Sequence, residues 1–213
     1  WNCLFVEPIE IHFLALKKTY EDTGYLFEQS AISNKTGEAM FYTILPESLS
    51  NKASNLANIT DRKDRKIFSK SLKRGSLVMS NYLLRVSHKE TGEKPILDRS
   101  MVRTLTLKDL LLKHRLEKVD FLSIDTEGYD FEIIKQIDFS SPFRPLLICY
   151  EQWGGIKFKE GDDLSGEISL GPTTSLKCRD ILQKNKYSTY VVESKDATKN
   201  IIAIDSTRSN FRF

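Results

Sequence analysis

The feature that most restricts the fold is an alternation of apolar runs and amphipathic stretches in the second half of the chain. Short apolar runs predict buried strands, and apolar residues at helical spacing predict helices. The predicted elements are the strand Val119–Ile124, the helix Glu127–Ile137, the strand Pro145–Tyr150, the helix Thr173–Lys186 and the strands Tyr187–Glu193 and Asn200–Asp205. This order is typical of a three-layer α/β fold whose mostly parallel sheet has an antiparallel last strand.

The first half of the chain begins with the same kind of alternation. Asn2–Val6 is mostly apolar and predicts a strand, which is followed by the helix Ile9–Tyr20. Tyr25–Ile32 predicts a second strand and Glu38–Ile44 a third, and we expect these two to pair with each other across a turn. A helix is also predicted at Thr106–His114, with its first residue as N-cap.

Residues 46–100 hold all of the excess positive charge. They contain 12 of the 32 Lys and Arg residues and 6 of the 29 Asp and Glu residues, so their net charge is +6 and that of the remainder is −3. The segment predicts a helix at Asp61–Lys73 and a strand at Ser76–Val86. We interpret 1–213 as one domain in which 46–100 is a basic insertion or lid outside the sheet; a solvated insertion is the plainer alternative.

Length and composition restrict the class of protein. The chain has 213 residues, of which 40% are hydrophobic, and this suits one α/β domain. Its apolar runs fall short of the ~20 residues that span a bilayer, and its early acidic residues argue against a signal peptide. Three scattered cysteines predict neither a disulfide framework nor a cysteine zinc site. We therefore expect a cytoplasmic protein.

Three acidic residues lie at the ends of predicted strands. Glu7 follows the first strand, Asp125 follows VDFLSI and Glu151 follows PLLICY. Ligands of such sheets bind at the carboxyl ends of the strands, where a carboxylate can accept hydrogen bonds from two ribose hydroxyls. The three acids are therefore candidates for one ligand site.

Each of these acids also has a purely structural interpretation. Glu7 could be an acid at the start of the following helix, where the helix dipole favours it. Asp125 or Thr126 could cap the next helix, and Glu151 could be a loop charge. The residues alone leave both interpretations open.

Five segments of the chain form a recognisable set: CLFVEPIEIHFLALKKTY, QSAISNKTGEAMFYT, RTLTLKDLL, VDFLSIDTEGYDFEIIKQID and PLLICYE. Together they resemble the FkbM family of S-adenosylmethionine-dependent methyltransferases. The most specific element is IDTEGYDFEII, which resembles the family signature of an acid, one residue, Glu-Gly and an amphipathic helix. The resemblance covers Asn2–Phe41 and Val102–Glu151, and it implies a Rossmann-like class I methyltransferase sheet.

The resemblance implies S-adenosylmethionine as the cofactor and gives several residues a role in binding it. Glu7 is expected to bind the ribose hydroxyls, and Ala31 and Ile32 are expected to flank the adenine ring. Asp125 is expected to lie by the methionine moiety or by the acceptor hydroxyl.

The same resemblance assigns Glu127 and Gly128 to the turn beside the cofactor, where a glycine lets the backbone approach closely. Asp125 and Glu151 are the acids best situated to take the acceptor's proton, so they are the candidate catalytic residues. They could instead help to bind a divalent metal, because EQWGG weakly resembles metal-dependent catechol-type methyltransferases; we do not expect a metal.

One part of the family's pattern has no counterpart here. Its first strand and glycine-rich loop hold the methionine end of the cofactor, yet the chain contains no G-x-G. That strand belongs between the strands that end at Glu7 and Asp125, and a sheet without it would have unpaired edges. We therefore expect the natural chain to begin upstream of Trp1.

The sequence thus predicts an O-methyltransferase (the EC 2.1.1 class) that uses S-adenosylmethionine on a hydroxyl of a sugar or secondary metabolite. Its partner would be a small-molecule or glycan acceptor, anionic if the basic segment faces it. The alternatives are a Rossmann-type oxidoreductase or nucleotide-sugar enzyme, and a non-catalytic module that binds a cofactor or nucleic acid. The basic segment lacks the interleaved aromatic residues that stack on RNA bases, so we do not expect nucleic acid.

Overall fold

A computed structural model describes residues 2–46, 75–77, 95–152, 172–193 and 199–208. The strands are β1 Leu4–Val6, β2 Leu26–Glu28, β3 Ala31–Ile32, β4 Gly37–Pro46, β5 Gly75–Ser76, β6 Pro95–Leu105, β7 Phe121–Ile124, β8 Leu147–Gln152, β9 Tyr187–Glu193 and β10 Lys199–Asp205. The helices are α1 Glu10–Thr19, α2 Leu107–Lys113, α3 Asp130–Ile134 and α4 Pro172–Lys184. No helix in these ranges has the length and apolar character needed to cross a membrane.

The chain divides into two compact units. The first comprises Trp1–Ala39, Val102–Ile156 and Leu170–Phe213, and the second comprises Met40–Met101 and Lys157–Ser169. The predicted acidic and turn residues all belong to the first unit. The second unit covers much of the basic segment, most of which lies outside the described residues.

The first unit contains two sheets with parallel pairs. β1 pairs in parallel with β2, and β7 pairs in parallel with β8. β8 then pairs with β10, which runs antiparallel to both β8 and β9, so this sheet has the order β7-β8-β10-β9. The predicted antiparallel last strand is confirmed. The protein is therefore an α/β structure with mixed sheets.

The core of the first unit lies on one face of the β7-β8-β10-β9 sheet. Ile148 and Tyr150 alternate along β8 and are fully buried beside Ala203 and Ile201, their register partners in β10. Helix α4 contributes Cys178 and Leu182, which are four residues apart and so lie on one face of the helix. The buried apolar side chains of α3 are Ile133 and Ile134, followed by Ile137 after the helix end.

The remaining sheet has the order β3-β6-β4-β5, and it corrects one expectation. The predicted pairing of β3 with β4 is wrong, because β6 lies between them; apolar alternation defines a strand's faces but not its partner. Within residues 46–100, Gly75–Ser76 and the first residues of β6 belong to this sheet and not to the β7-β8-β10-β9 sheet. Most of the predicted strand Ser76–Val86 lies outside the described residues. The predicted helix Asp61–Lys73 lies outside the described residues, and the lid interpretation stays a prediction.

Most predicted bounds shift by one or two residues, and three differences matter for the site. The predicted strand Tyr25–Ile32 is two strands, because the chain leaves β2 after Glu28 and joins β6 through β3. Helix α3 begins at Asp130 and not at Glu127. Glu151 lies within β8, opposite Asn200 of β10, and does not follow the strand.

A buried carboxylate attaches β2 to α2. Glu28 is 4% exposed, forms an ion pair with Lys113 Nζ at 2.7 Å and is hydrogen-bonded to His114 Nε2 at 2.9 Å. Burial alone would raise the pKa of Glu28, but the hydrogen bonds from Lys113 and His114 outweigh burial and lower it. Helix α2 begins after its predicted N-cap, since the Thr106 side chain accepts from the Asp109 amide. These contacts fix the segment that leads into β3.

A second buried carboxylate, Asp205, lies at the end of the β8–β10 pair that is farther from Glu151. Asp205 is fully buried and accepts from Arg144 Nε at 2.6 Å, from Arg144 Nη2 at 2.7 Å and from Arg208 Nε at 2.9 Å. Thr207 adds its amide at 3.0 Å and its hydroxyl at 2.7 Å. Burial alone would raise the pKa of Asp205, but these hydrogen bonds hold it well below its usual range.

Removing this charge should destabilise the protein strongly. Asp205→Asn leaves two arginines without their buried partner, and we expect the free energy of unfolding to fall by about 3–5 kcal/mol in urea titrations. Asp120→Asn is the matched control, because Asp120 is 65% exposed and pairs with Lys118 at the surface. That change should cost less than about 1 kcal/mol. Equal effects of the two variants would refute the role given to Asp205.

Candidate active site

The signature turn after β7 has an unusual backbone. Glu127 has φ 50° and Gly128 has φ 109°, so two successive residues lie outside the helical region. Residues other than glycine rarely adopt positive φ, and such strain is often found at functional sites. This turn is the physical reason that α3 starts at Asp130. The turn also explains in a second way why residue 128 is glycine: a φ of 109° is unfavourable for a residue with a side chain.

Asp130 connects this turn to the end of β8. Its Oδ1 accepts from the Thr126 amide at 3.1 Å and from the Thr126 hydroxyl, and its Oδ2 accepts from the Glu151 amide at 3.2 Å. The residue is 4% exposed. One buried carboxylate therefore holds together the segment that bears Asp125 and the strand that bears Glu151.

The environment of Asp130 disfavours its charged form. Burial raises its pKa to about 6, the nearby Asp125 adds to that rise, and the hydrogen bonds from Thr126 and Glu151 oppose it. Burial likewise raises the pKa of the Cys149 thiol, and the charges of Asp125 and Asp130 raise it further. The end of β8 is thus close to both aspartates.

Tyr129 connects the same turn to the end of β3. Its hydroxyl lies 3.4 Å from Ser33 Oγ and 3.4 Å from the amide nitrogen of Asn34, and its side chain is 4% exposed. These are long contacts, but they join segments about a hundred residues apart in the chain. Ala31 is buried and Ile32 is half-buried, directly before Ser33.

The structure therefore brings most of the predicted site residues together. Tyr129 and Asp130 join the turn Asp125–Gly128 to Ser33 and Asn34, which directly follow Ala31–Ile32, on one side and to the Glu151 amide on the other. Asp125 is exposed, and Glu127 and Glu151 are half-buried. The N-cap of α3 is Tyr129, so the alternative that Asp125 or Thr126 caps this helix is wrong.

Glu7 is held by a separate set of contacts. Its Oε1 accepts from the Ile9 amide at 2.7 Å, and its own amide donates to the Glu28 carbonyl at 3.0 Å. Burial raises the pKa of Glu7, while the Ile9 hydrogen bond and the nearby His12 oppose the rise. Ile9 is the N-cap of α1, so the helix-start interpretation accounts for one carboxylate oxygen. A carboxylate offers a second oxygen to a ligand.

Tyr129 and Asp130 are the residues that the sequence argument missed. Both stand in the quoted motif, but they were counted only as part of an amphipathic helix. The sequence carries only a partial signal: an aspartate four residues from a threonine, across a glycine, has a spacing at which side chains bond to the backbone of a turn. Its bond to the Glu151 amide and the contacts of Tyr129 have no such signal.

The match with known proteins decides the family. A model of the FkbM methyltransferase domain matches residues 3–189. The chain belongs to the FkbM methyltransferase domain family. The match runs through every site residue predicted above, from Glu7 to Glu151. Neither the curated proteins nor the solved structures provide a match for this FkbM domain.

A metal centre gains no support from the described part of the FkbM domain. No group of three or more His, Cys, Asp or Glu side chains within those ranges is arranged to hold an ion.

Substitutions at the turn should separate glycine's conformational role from that of its neighbour. Gly128→Ala puts a side chain at φ 109°, so we expect a loss of about 1–3 kcal/mol in the free energy of unfolding. Glu127→Gly places glycine at φ 50°, which it adopts freely, and should cost less. Urea denaturation measures both. A Gly128→Ala variant as stable as the wild type would contradict the turn conformation.

Proposed function

We propose that this FkbM domain transfers a methyl group from S-adenosylmethionine to a hydroxyl of a sugar or secondary metabolite. The observation that carries the proposal is the junction made by Tyr129 and Asp130. It holds the family's signature turn between the end of β3 and the end of β8. The family match over residues 3–189 supports methyl transfer as the chemistry.

The proposal includes a Rossmann-like arrangement of the first unit. The parallel pairs β1–β2 and β7–β8 and the antiparallel β10 are consistent with it. Glu7 directly follows β1, and Asp125 directly follows β7. Ligands of such sheets bind beyond the carboxyl ends of the parallel strands.

The residues present suit an adenosine group. Glu7 is a half-buried carboxylate that the Ile9 amide orients, and such a group can accept hydrogen bonds from a ribose diol. The half-buried Ile32, beside the buried Ala31, would offer apolar surface to the adenine ring. The turn Asp125–Gly128 would then lie toward the methionine end. When bound, S-adenosylmethionine supplies a methyl group that its sulfonium has already activated.

The protein's own task is to orient the acceptor hydroxyl and to take its proton. Asp125 and Glu151 are the proposed proton acceptors, because Asp130 connects the segments that carry them. Holding the hydroxyl in line with the methyl group supplies much of the acceleration in such a displacement. The net charge of +6 on residues 46–100 favours an acceptor with phosphate or carboxylate groups.

Calorimetric titration of S-adenosylhomocysteine tests the cofactor site through Glu7. Glu7→Gln keeps an oxygen for the Ile9 amide but loses the charge and one acceptor. We expect the dissociation constant to rise about tenfold to a hundredfold. Glu10→Gln is the matched control, since Glu10 is exposed in the first turn of α1. This variant should bind S-adenosylhomocysteine as tightly as the wild type does.

The pH dependence sharpens this test. The carboxylate of Glu7 must be ionised to accept two hydroxyls, so wild-type affinity should increase as the pH rises through its raised pKa. The Glu7→Gln variant should lack that increase. A wild type that binds no S-adenosylhomocysteine would favour a non-catalytic module, and unchanged binding by Glu7→Gln would remove only the assignment of Glu7.

Turnover tests the proton acceptors. With nucleotide sugars and glycosides as an acceptor panel, Asp125→Asn and Glu151→Gln should each release S-adenosylhomocysteine at least about a hundredfold more slowly. Their melting temperatures should change little, because both side chains keep their shape. Asp120→Asn, an exposed aspartate just before β7, serves as the control. Normal turnover in both acid variants would refute their catalytic role.

A further inference from the structure

Asp130 is a buried acid at the start of α3, directly after the signature turn. The reaction proposed above gives it no task. Three donors converge on its carboxylate: the amide and the hydroxyl of Thr126 on Oδ1, and the amide of Glu151 on Oδ2. Because both oxygens accept, the arrangement requires the ionised form. A protonated acid would present an O–H to a donor and lose one of these contacts.

Asp130 contacts two different segments, the turn that contains Thr126 and strand β8. Thr126 is next to Asp125, and Glu151 lies near the end of the neighbouring strand β8. The backbone of the intervening turn is strained at Glu127, and such a conformation persists only where surrounding contacts hold it. Asp130 supplies the contacts that hold it on the side of β8.

We propose that Asp130 is a positioning residue that holds the turn Asp125–Gly128 against the methionine end of the bound cofactor. This inference rests on the proposed function. Asp130 does not itself touch the reacting atoms; it acts through Thr126 and the Glu151 amide. Under the proposed function the adenosine end is held by other residues, Glu7 directly after β1 and Ala31–Ile32 in β3. Loss of Asp130 should therefore affect one end of the cofactor and spare the other.

The groups around Asp130 add a dependence on pH. Asp125 faces it from its own turn, Cys149 and Tyr150 from β8, and Cys178 from α4, while Arg179 lies near Tyr150. Burial raises the pKa of Asp130 to about 6, so its proton is gained at mildly acidic pH. Protonation should release the turn in the wild type, and a variant without this carboxylate should lack that response.

The test compares two ligands, S-adenosylmethionine and 5′-methylthioadenosine, which lacks the amino-acid end. In Asp130→Asn, calorimetry should find affinity for S-adenosylmethionine about tenfold weaker and that for 5′-methylthioadenosine within about twofold of the wild type. Between about pH 7 and pH 5 the wild type should lose its preference for S-adenosylmethionine, and Asp130→Asn should not.

Asp138→Asn is the matched control. Asp138 also accepts an amide and a hydroxyl, both from Ser140, but it is exposed and follows α3 at its other end. It should behave as the wild type with both ligands. If Asp130→Asn folds poorly, Thr126→Val removes one donor to the same carboxylate and should weaken binding of S-adenosylmethionine selectively.

The outcomes separate this proposal from the one on which it rests. A wild type that binds neither ligand would overturn the proposed function, and the positioning role with it. A wild type that binds both, with Asp130→Asn weakening both equally or neither, would overturn the positioning role alone. Selective loss of S-adenosylmethionine, with the expected pH response, would support both proposals.

Discussion

The candidate site depends on one buried carboxylate whose hydrogen-bond donors, among the residues that the structure describes, are all neutral. Asp130 ties a strained turn to a neighbouring strand through Thr126 and the Glu151 amide. The cost of burying this charge is visible in its raised pKa. A group in such surroundings can hold the site together and still respond to pH, because its ionised form is only narrowly favoured at neutrality.

Asp205 provides the contrast within the same unit. Its side chain is also hidden from solvent, but two arginines and Thr207 surround it, and its pKa moves in the opposite direction. Asp130 begins helix α3 and Asp205 ends strand β10, and the two differ in the charge of their partners. A buried acid with cationic partners is typical of a structural anchor, whereas one with neutral donors is typical of a functional site.

The sequence predicts the elements better than their connections. Strand β9 has the predicted bounds and Thr106 is the predicted N-cap, because apolar periodicity and capping are local properties. The predicted partner of β3 is wrong, because segments that are distant in the chain decide which strands pair. The turn Asp125–Gly128 was recognised from its motif, yet the roles of Tyr129 and Asp130 appear only in three dimensions. Their partners, Ser33 and the Glu151 amide, carry no mark in the sequence.

The spacing of these partners along the chain has a consequence for folding. The link from Asp130 to Glu151 closes a loop of 21 residues, whereas the link from Tyr129 to Ser33 spans 96. Closing the longer loop costs more chain entropy. The contact between Tyr129 and Ser33 therefore forms more readily once the segment between them has folded. We therefore expect the half of the site near β8 to form first during refolding, and the half near β3 to complete it in a later, slower phase.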